Sequence, residues 1–298
     1  MALLLRLSVF AACAWCAAIC LVRGQDRARS NVIDRQSLVT RHNVVLREAD
    51  PMAPLSVGNG RFCFTADVTG LQTFSEYYET GIPLGTLADW AWHSFPNPEG
   101  FELPDTMVMV DTYGRDVPYP LQTRTAAGKW LRANPHRFSV GRIGLVLTKA
   151  DGKQVSLQDI DEIDQRLDLW NGVLTSRFQI KGVPVTVVTL VDPQRDAVAV
   201  TIESPLVAQG RLQSLVAFAY PNGSWGPLMD DWSKPAAHQT AIAVQQPHLV
   251  RLQRTMDATR YSCSISVGES GEIRRESAHH WRVLPTEATD RLTFTTTF

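Results

Sequence analysis

Residues 173–191, VLTSRFQIKGVPVTVVTLV, decide the fold of this chain. Apolar and polar side chains alternate on both sides of Lys181-Gly182, and this alternation is typical of strands with one buried face. Because Lys181-Gly182 leaves only two residues for the turn, Val173–Ile180 and Val183–Val191 are predicted to form an antiparallel hairpin. A turn at 192–196 then leads into a third strand, Ala197–Glu203.

Strand-like segments continue on both sides of this hairpin. An alternating segment at 61–68 follows a glycine-rich turn, and another at 137–148 contains Gly141 and Gly144, which suggest a β-bulge. A capped helical turn is predicted within 156–163. Further strands are predicted at 211–219, 241–254, 260–267, 279–284 and 291–298. Since no long helices separate the strands, the sequence predicts an all-β fold, a large antiparallel β-sandwich.

Residues 75–136 interrupt the series of strands with a long irregular insertion. Its prolines exclude long elements, and the segment is rich in Trp, Tyr and Phe. One short helix is predicted from about Thr125 to Ala133, because helices usually end before a pair such as Asn134-Pro135. An ordered aromatic insertion of this length is expected to contact a partner domain or a ligand.

Residues 1–24 have the pattern of a secretory signal peptide. Arg6 precedes an apolar or small run at 7–22, and polar residues begin at Arg23, so we expect cleavage after Gly24 and export to the periplasm or the extracellular space. The run is shorter than the roughly 20 residues of a membrane span, and an uncleaved anchor is the less favoured alternative. Residues 25–298 are expected to form one domain.

Composition and cysteine usage exclude several classes of function. The formal net charge of −1 is not concentrated into a basic stripe, so nucleic-acid binding has no electrostatic basis. After the signal segment only Cys63 and Cys263 remain, and they either form one disulfide or, as we favour, stay free thiols on strands. The seven histidines match no metal-binding spacing, so neither a metal site nor a cofactor is expected.

No catalytic residue is predicted from the carboxylates. The densest group, at 159–164, lacks the spacing of a calcium loop and is interpreted as the solvated start of a helix. Glu76 and Glu79 flank two tyrosines in a pattern suited to a sugar. Paired carboxylates of glycosidases act only at a defined spatial separation, which a sequence does not contain.

Aromatic residues in two loops are the candidates for ligand contact. The run WAWHSFPNP at 90–98 supplies Trp90, Trp92 and His93, and indole rings stack on the apolar faces of sugars. A second loop carries Trp225 and Trp232 on either side of two aspartates. In both loops the alternative interpretation is that the indoles pack the loop onto the sandwich.

Two segments resemble the N-terminal domains of glycoside hydrolase families 65 and 95. The segment PLSVGNGRF at 54–62, which includes Asn59, is similar to the P-x-G-N-G-R opening of those domains. The segment from Gln165 through LDLWNGVL to Ser204 is similar to their strand series. The resemblance covers most of 42–298 and is nearest to exported six-hairpin glycosidase-like proteins.

This resemblance implies a β-supersandwich of the galactose-mutarotase-like type. In those families it precedes an (α/α)6 barrel that holds the catalytic carboxylates, and this sequence has no barrel, so no catalytic residue is carried over. The resemblance also implies that the loop at 90–95 reaches the mouth of the barrel. The candidates for contact with a sugar or with the barrel are therefore Asn59, Trp90, Trp92, His93, Trp225 and Trp232.

These observations predict a non-catalytic, carbohydrate-associated domain of an exported glycoside hydrolase-like or phosphorylase-like protein. Its expected partners are an oligosaccharide or glycoside and the barrel domain, with no nucleic acid and no membrane beyond the signal peptide. The strand-like pattern at 293–298 predicts that the chain is cut there, and a sandwich without its barrel is expected to expose an apolar patch. Two alternatives stay open: a free-standing lectin-like module and, on fold analogy alone, an aldose mutarotase.

Overall fold

A computed structural model describes residues 33–223 and 229–298, which belong to two compact units. In the first unit, which ends at His42, helix α1 (Arg35–Thr40) is capped by Asp34, whose carboxylate accepts a hydrogen bond from the Ser37 backbone N–H at 3.1 Å. No helix among the described residues has both the length and the apolar character needed to cross a membrane.

The second unit, Asn43–Phe298, contains all 22 strands found in the described residues. The first eleven are β1 (Val44–Leu46), β2 (Leu55–Gly58), β3 (Phe62–Ala66), β4 (Thr86–Ala88), β5 (Trp92–His93), β6 (Met107–Asp111), β7 (Asp116–Pro120), β8 (His136–Arg137), β9 (Arg142–Leu147), β10 (Ile160–Asp168) and β11 (Val173–Ile180). The others are β12 (Val183–Val191), β13 (Ala197–Glu203), β14 (Leu212–Ala217), β15 (Tyr220–Pro221), β16 (Asp230–Asp231), β17 (His238–Gln246), β18 (Leu249–Met256), β19 (Thr259–Val267), β20 (Gly271–Arg275), β21 (His280–Pro285) and β22 (Arg291–Thr297).

The helical elements of the second unit are short. They are α2 (Ser75–Tyr78), α3 (Ala126–Ala133), α4 (Pro205–Ala208) and the 3-10 turns Leu103–Thr106, Leu157–Asp159 and Pro235–Ala237. The predicted helix before Asn134-Pro135 is confirmed as α3, and the Thr125 hydroxyl caps it by accepting a hydrogen bond from the Gly128 N–H at 3.1 Å.

Nine antiparallel strands form the large sheet, in the order β1-β10-β11-β12-β13-β22-β19-β18-β17. The three strands predicted from 173–203 are confirmed at their predicted ends. Lys181 and Gly182 both have positive φ angles, 51° and 79°, as the tight two-residue turn between β11 and β12 requires.

A second sheet packs against the large one and completes a sandwich. It has the order β20-β21-β14-β9, and smaller sheets are formed by β2-β3-β4, β5-β8, β6-β7 and β15-β16. Inward-facing side chains of both large sheets, such as Phe178 and Phe294 on one and Ile143 and Trp281 on the other, are buried in a single hydrophobic cluster. Burial of each such side chain stabilises the fold by about 1.5–3 kcal/mol. The sheets and this shared core confirm the predicted all-β sandwich.

Two predicted elements differ in the structure. The strand predicted at 241–254 is two strands, β17 and β18, because the chain turns back at Pro247-His248. The turn predicted within 156–163 is limited to Leu157–Asp159, and strand β10 begins directly after it. Asp159 is the last residue of this 3-10 turn, and its carboxylate accepts a hydrogen bond from the backbone N–H of the N-cap residue Ser156 at 3.0 Å and contacts Lys149 at 3.0 Å.

The bulge suggested at 141–144 is absent from the described register of β9 with β14, which is regular. Gly144 serves a close approach instead, since a Cβ there would lie 2.9 Å from the carbonyl oxygen of Gln72. Strand β20 was not predicted at all. Its sequence, GEIRR, carries only one large apolar residue, too few to show a period of two.

Candidate functional site

The two segments that carry the family resemblance meet at the turn 192–196. The Asn59 side-chain amide donates to the carbonyl oxygens of Asp192 at 3.0 Å and Arg195 at 3.2 Å. Its oxygen accepts from the backbone N–H groups of Arg61 at 3.0 Å and Phe62 at 2.9 Å. The polar atoms of Asn59, predicted to contact a sugar or the barrel, are thus engaged with backbone groups of the fold.

Trp90 and Trp92 lie close to this turn and are partly exposed. The Trp90 indole N–H donates to the Asp196 carboxylate at 2.7 Å, and its ring lies 5.6 Å from that of Tyr261. The guanidinium of Arg137 lies 4.5 Å from the centre of the Trp92 ring. Trp90 keeps 38% and Trp92 45% of its surface exposed, so both retain surface for a ligand or a partner.

His93, the third candidate in this loop, is buried. Its Nδ1 lies 2.9 Å from the Thr259 hydroxyl and its Nε2 lies 3.2 Å from Asp257 Oδ2, which also accepts the hydroxyl hydrogen of Tyr220 at 2.6 Å. Loss of solvation lowers the pKa of His93, and the neighbouring His136 lowers it further, although Asp257 opposes the shift. Through these contacts His93 fixes the loop at 90–98 to Asp257 and Thr259, which lie between β18 and the start of β19.

Four of the histidines that are far apart in the sequence lie in one aromatic cluster. His93 contacts His136 with a distance of 5.2 Å between the ring centres, and His238 stacks on His279 at 3.8 Å. Tyr220 joins the two pairs, at 6.0 Å from His93 and 6.1 Å from His238. Sequence spacing gave no sign of this cluster, because its members come from β5, β8, β17 and the residue before β21.

The rings of the histidine cluster pack against one another and against Tyr220. Within the part of the chain that the structure describes, no group of three or more His, Cys, Asp or Glu side chains can hold a metal ion. Loss of solvation lowers the pKa of His238 to about 3, with further contributions from Arg254 and His279. A neutral His238 suits this site, because the fully buried guanidinium of Arg254 lies 3.5 Å from His279, on which His238 stacks.

An open groove crosses the outer face of the four-stranded sheet. We call it the sheet groove, and two sets of residues line its two main sections. They are Thr73, Phe74, Ser75, Glu76, Tyr77, Arg142, Leu145, Val146, Leu147, Gln154, Val155, Ser156, Leu157, Gln158, Leu215 and Arg282 for the first, and Val146, Thr148, Gly152, Gln154, Gly210, Gln213, Arg274, Glu276 and Arg282 for the second. The sections have volumes of about 490 and 460 Å³ and share three residues, so they are neighbouring parts of one depression.

Side chains that point outward from β9, β14 and β21 form the base of this groove. Arg142 on β9, Leu215 on β14 and Arg282 on β21 alternate with buried neighbours, so their side chains point away from the core. Arg282 makes two hydrogen bonds to the Glu276 carboxylate, at 2.7 and 2.8 Å. This bidentate pair holds a carboxylate and a guanidinium side by side in the second section of the groove.

Trp232 is not among the residues that line the groove, but it contacts Arg142 of the first section. The guanidinium of Arg142 is 4.5 Å from the centre of its ring, and the His280 ring is 5.9 Å away. Arg142 also contacts Asp230 at 3.3 Å; loss of solvation raises the pKa of this carboxyl to about 6. Trp232 remains 37% exposed, so an aromatic surface stands next to the paired charges.

The arginines of the sheet groove are paired with carboxylates. Arg142 and Arg282 are each matched by a carboxylate, so the site offers donors and acceptors without a strong excess of one charge. Of the two glutamates suspected from the sequence, Glu76 lines the groove together with Tyr77, whereas Glu79 is not among its lining residues and Tyr78 is buried. The arginines of the groove were missed in the sequence, although their outward positions in the predicted strands 137–148 and 279–284 were the available signal.

The sequence candidates therefore fall into two places, with one exception. One place is the turn 192–196 and the adjoining histidine cluster, where Asn59, Trp90, Trp92 and His93 lie. The other is the sheet groove, where Trp232 contacts Arg142. Trp225 lies outside the described residues. The thiols of Cys63 on β3 and Cys263 on β19 are free.

Comparison with known proteins shows a common fold. No protein-family model and no curated protein matches the chain. Among solved structures, the chain matches a protein described as a kojibiose phosphorylase from the human microbiome, with a TM-score of 0.50 and 11% sequence identity. The match covers 87% of this chain and 32% of that protein, so the chain spans about a third of its length. The sandwich fold implied by the resemblance to glycoside hydrolase family 65 is confirmed by this match.

Proposed function

We propose that this chain, which shares its fold with part of a protein described as a sugar phosphorylase, is a carbohydrate-binding domain that does not cleave glycosides itself. The sheet groove is its binding site, with Trp232 as the stacking surface and the Arg282–Glu276 pair as the hydrogen-bonding centre. The observation that carries the proposal is this groove of paired charges beside an exposed indole, on a fold shared with a carbohydrate-active protein.

The geometry supports a ligand of several sugar units. Pockets of about 300–1,000 Å³ hold molecules of the size of a small oligosaccharide, and each section of the groove reaches that range. The groove is open and runs across strands, which suits an extended ligand. Because its cations are paired with carboxylates, a neutral oligosaccharide is favoured over an anionic one.

Binding is tested by titration calorimetry of the purified chain with neutral gluco-oligosaccharides of two to six units in different linkages. We expect at least one to bind with a Kd in the micromolar to millimolar range, and binding to weaken about tenfold or more in Trp232→Ala and in Glu276→Gln. Trp170→Ala, which removes another exposed indole in the turn between β10 and β11, is the control and should bind as the unchanged chain does.

Two outcomes would refute this assignment. Binding that is lost in Trp90→Ala or Trp92→Ala but kept in Trp232→Ala would move the site to the loop near the turn 192–196. Hydrolysis, phosphorolysis or anomer exchange of the same sugars by the purified chain would show that it acts as an enzyme, and polarimetry would identify the mutarotase alternative.

We also propose that the domain is exported and acts within a larger glycoside-processing assembly that includes a helical catalytic barrel. The signal-like pattern at 1–24 supports the first part, and the coverage of 32% of the matched protein supports the second. Intact mass of the product released to the periplasm or medium tests the export. A mass that still includes residues 1–24 would contradict cleavage after Gly24.

A further inference from the structure

A chain of hydrogen bonds links the buried guanidinium of Arg254 to the 3-10 turn Pro235–Ala237. Arg254 donates to the Thr240 hydroxyl, which in turn donates its own hydrogen to His279 Nδ1 at 2.8 Å. His279 Nε2 lies 2.9 Å from the carbonyl oxygen of Pro235, which can only accept. The single ring hydrogen of His279 is therefore on Nε2, and these partners suit the neutral ring.

A second proton finds no acceptor at this pair of stacked rings. His279 Nδ1 already faces two donors, the Thr240 hydroxyl and the Arg254 guanidinium, the latter at 3.5 Å. His238 stacks on His279 with 3.8 Å between the ring centres, and its buried Nδ1 makes no hydrogen bond within the described residues. Protonation of either ring would leave a buried N–H without an acceptor and place a charge against the other ring.

The charged side chains closest to the pair are positive. Loss of solvation lowers the pKa of His279, although its hydrogen bond to the turn opposes the shift. Arg254 lowers this pKa further, as do His280 and Arg275. His238 has a pKa of about 3, with loss of solvation as the largest cause and Arg254 as the next. The folded arrangement therefore favours two neutral rings.

The carboxylates of the surrounding elements are engaged elsewhere. No described carboxylate lies within ion-pair distance of His238 or His279. Four neighbouring carboxylates have partners of their own. They are Asp230 with Arg142, Asp231 with Ser233 and Lys234, Asp257 with Tyr220 and His93, and Glu276 with Arg282. A protonated ring at this pair is therefore stabilised only where water reaches it.

The pair also fixes the stretch that carries Trp232. The turn accepts the hydrogen bond from His279, and His238 follows the turn directly. On the other side, Trp232 lies over the Arg142 guanidinium. Residues 233–237 are all exposed, so opening this stretch gives up much less buried surface than unfolding the sandwich does.

We infer that the position of Trp232 is acid-sensitive: protonation of the His238–His279 pair opens the stretch 233–237 and lets the indole leave Arg142. In the opened form both rings are in water, where histidine binds a proton near pH 6.5. The opened form therefore binds more protons than the closed form below pH 6.5, and it is favoured as the pH falls. Weaker sugar binding in the sheet groove at low pH is a consequence that rests on the proposed function, whereas the movement of Trp232 does not.

Fluorine NMR of the purified chain labelled with fluorotryptophan measures the movement. Trp232→Phe identifies the resonance, and saturation transfer detects a minor open form. We expect the ratio of open to closed Trp232 to rise about tenfold or more between pH 7 and pH 5. Trp281, which is buried in the core, should keep its resonance at both pH values.

His238→Phe/His279→Gln removes the titration and keeps a stacked ring and an amide that can bond to Thr240 and Pro235. Its ratio of open to closed Trp232 should change less than about twofold over the same range. His136→Gln, at another part-buried histidine of the cluster, is the matched control and should respond as the unchanged chain does. Asp230→Asn, which removes the carboxyl group beside Arg142, should also respond as the unchanged chain does.

Several results would overturn the inference. An open form that is undetectable at pH 5 would do so, as would an unreduced response in the double variant or a lost response in Asp230→Asn. A simultaneous change at Trp281 would show that the sandwich itself unfolds, and would count equally against the inference. If the double variant does not fold, His238→Phe alone decides, because its response must be smaller than that of the unchanged chain.

Sugar binding is measured separately, by calorimetry at both pH values. An acid-sensitive Trp232 in a chain that binds no sugar would refute the proposed function and leave this inference standing. Sugar binding by a chain in which Trp232 does not respond to acid would do the reverse.

Discussion

At the scale of single residues, Asn59 shows how one side chain positions distant parts of the chain. Two of its four hydrogen bonds reach carbonyl groups 133 and 136 residues away. The N-G pair at 59–60 predicts a turn, and the structure adds that the asparagine ties that turn to a second one. Asn59 therefore has a structural role whether or not a ligand also contacts this region.

We expect Asn59→Ala to lower the free energy of unfolding by about 1–3 kcal/mol, because four backbone groups lose a partner in a half-buried site. Asn171→Ala, which removes an exposed asparagine bonded to the Asp168 side chain, should cost about 0.5 kcal/mol. Urea denaturation followed by tryptophan fluorescence measures both. Equal losses would contradict the structural role of Asn59.

His238 makes stability depend on pH in a defined direction. Its pKa is about 3 in the folded chain and near 6.5 in the unfolded chain, so the unfolded state binds more protons between these values. Stability contributed by this group is therefore present above pH 6.5 and is lost as the pH falls. The raised pKa values of Asp67 and Asp230, both about 6, act with the opposite sign below pH 6.

The contribution of His238 is isolated by His238→Gln. Between pH 7 and pH 5 we expect the unchanged chain to lose about 1–2 kcal/mol more stability than this variant. The two aspartates are present in both proteins, so their effects cancel in the comparison. His42→Gln, an exposed histidine, should follow the unchanged chain. Urea denaturation at the two pH values measures the difference, and identical losses for all three proteins would disprove it.

At the scale of elements, two glycines are required for different physical reasons. Gly182 in the β11–β12 turn has φ +79° and open space around its Cβ position, so only its backbone conformation favours glycine. Gly144 on β9 has ordinary backbone angles, but a Cβ would collide with the Gln72 carbonyl. The sequence alone predicts the role of Gly182, because a two-residue turn favours glycine, but it does not reveal the close approach at Gly144.

We expect Gly182→Ala to cost about 1 kcal/mol and Gly182→Asn to cost less, since asparagine tolerates the left-handed region. Gly144→Ala should cost more, about 2–3 kcal/mol, and Gly144→Asn more still, because the clash grows with side-chain size. Thermal or urea unfolding measures the four variants. A rescue by asparagine at both positions would contradict the distinction.

At the scale of the whole molecule, β22 is central although it lies at 291–297. It pairs with β13 on one side and β19 on the other, and it thereby joins the two halves of the nine-stranded sheet. Phe294, which is almost fully buried, packs into the core from this strand. The fold of the second unit therefore depends on contacts between segments far apart in the chain.

We expect removal of 291–298 to abolish cooperative unfolding, because β13 and β19 would each lose a neighbour. Phe294→Ala should cost about 3–5 kcal/mol through the cavity it leaves. Thr293→Ala, at an exposed position of the same strand, should cost less than about 1 kcal/mol. Calorimetry measures all three, and a cooperative transition in the shortened chain would refute the central role of β22.

Local sequence patterns predict most strands of the nine- and four-stranded sheets, the tight β11–β12 turn, the start and end of α3 and the sandwich class, but they miss β1, β10, β20 and, apart from β3, the short strands of the smaller sheets. The predicted features depend on local patterns: alternation with a period of two, turn residues and a proline. Tertiary structure alone decided the order of the strands and the gathering of four histidines. It also decided the place of Arg254, an inward position of β18 where backbone carbonyls of 219 and 239 accept its hydrogen bonds. The sheet groove likewise forms where outward side chains of β9, β14 and β21 come together. The physical reason is that these contacts join residues far apart in the chain, and a local sequence pattern holds no information about which distant residues will meet.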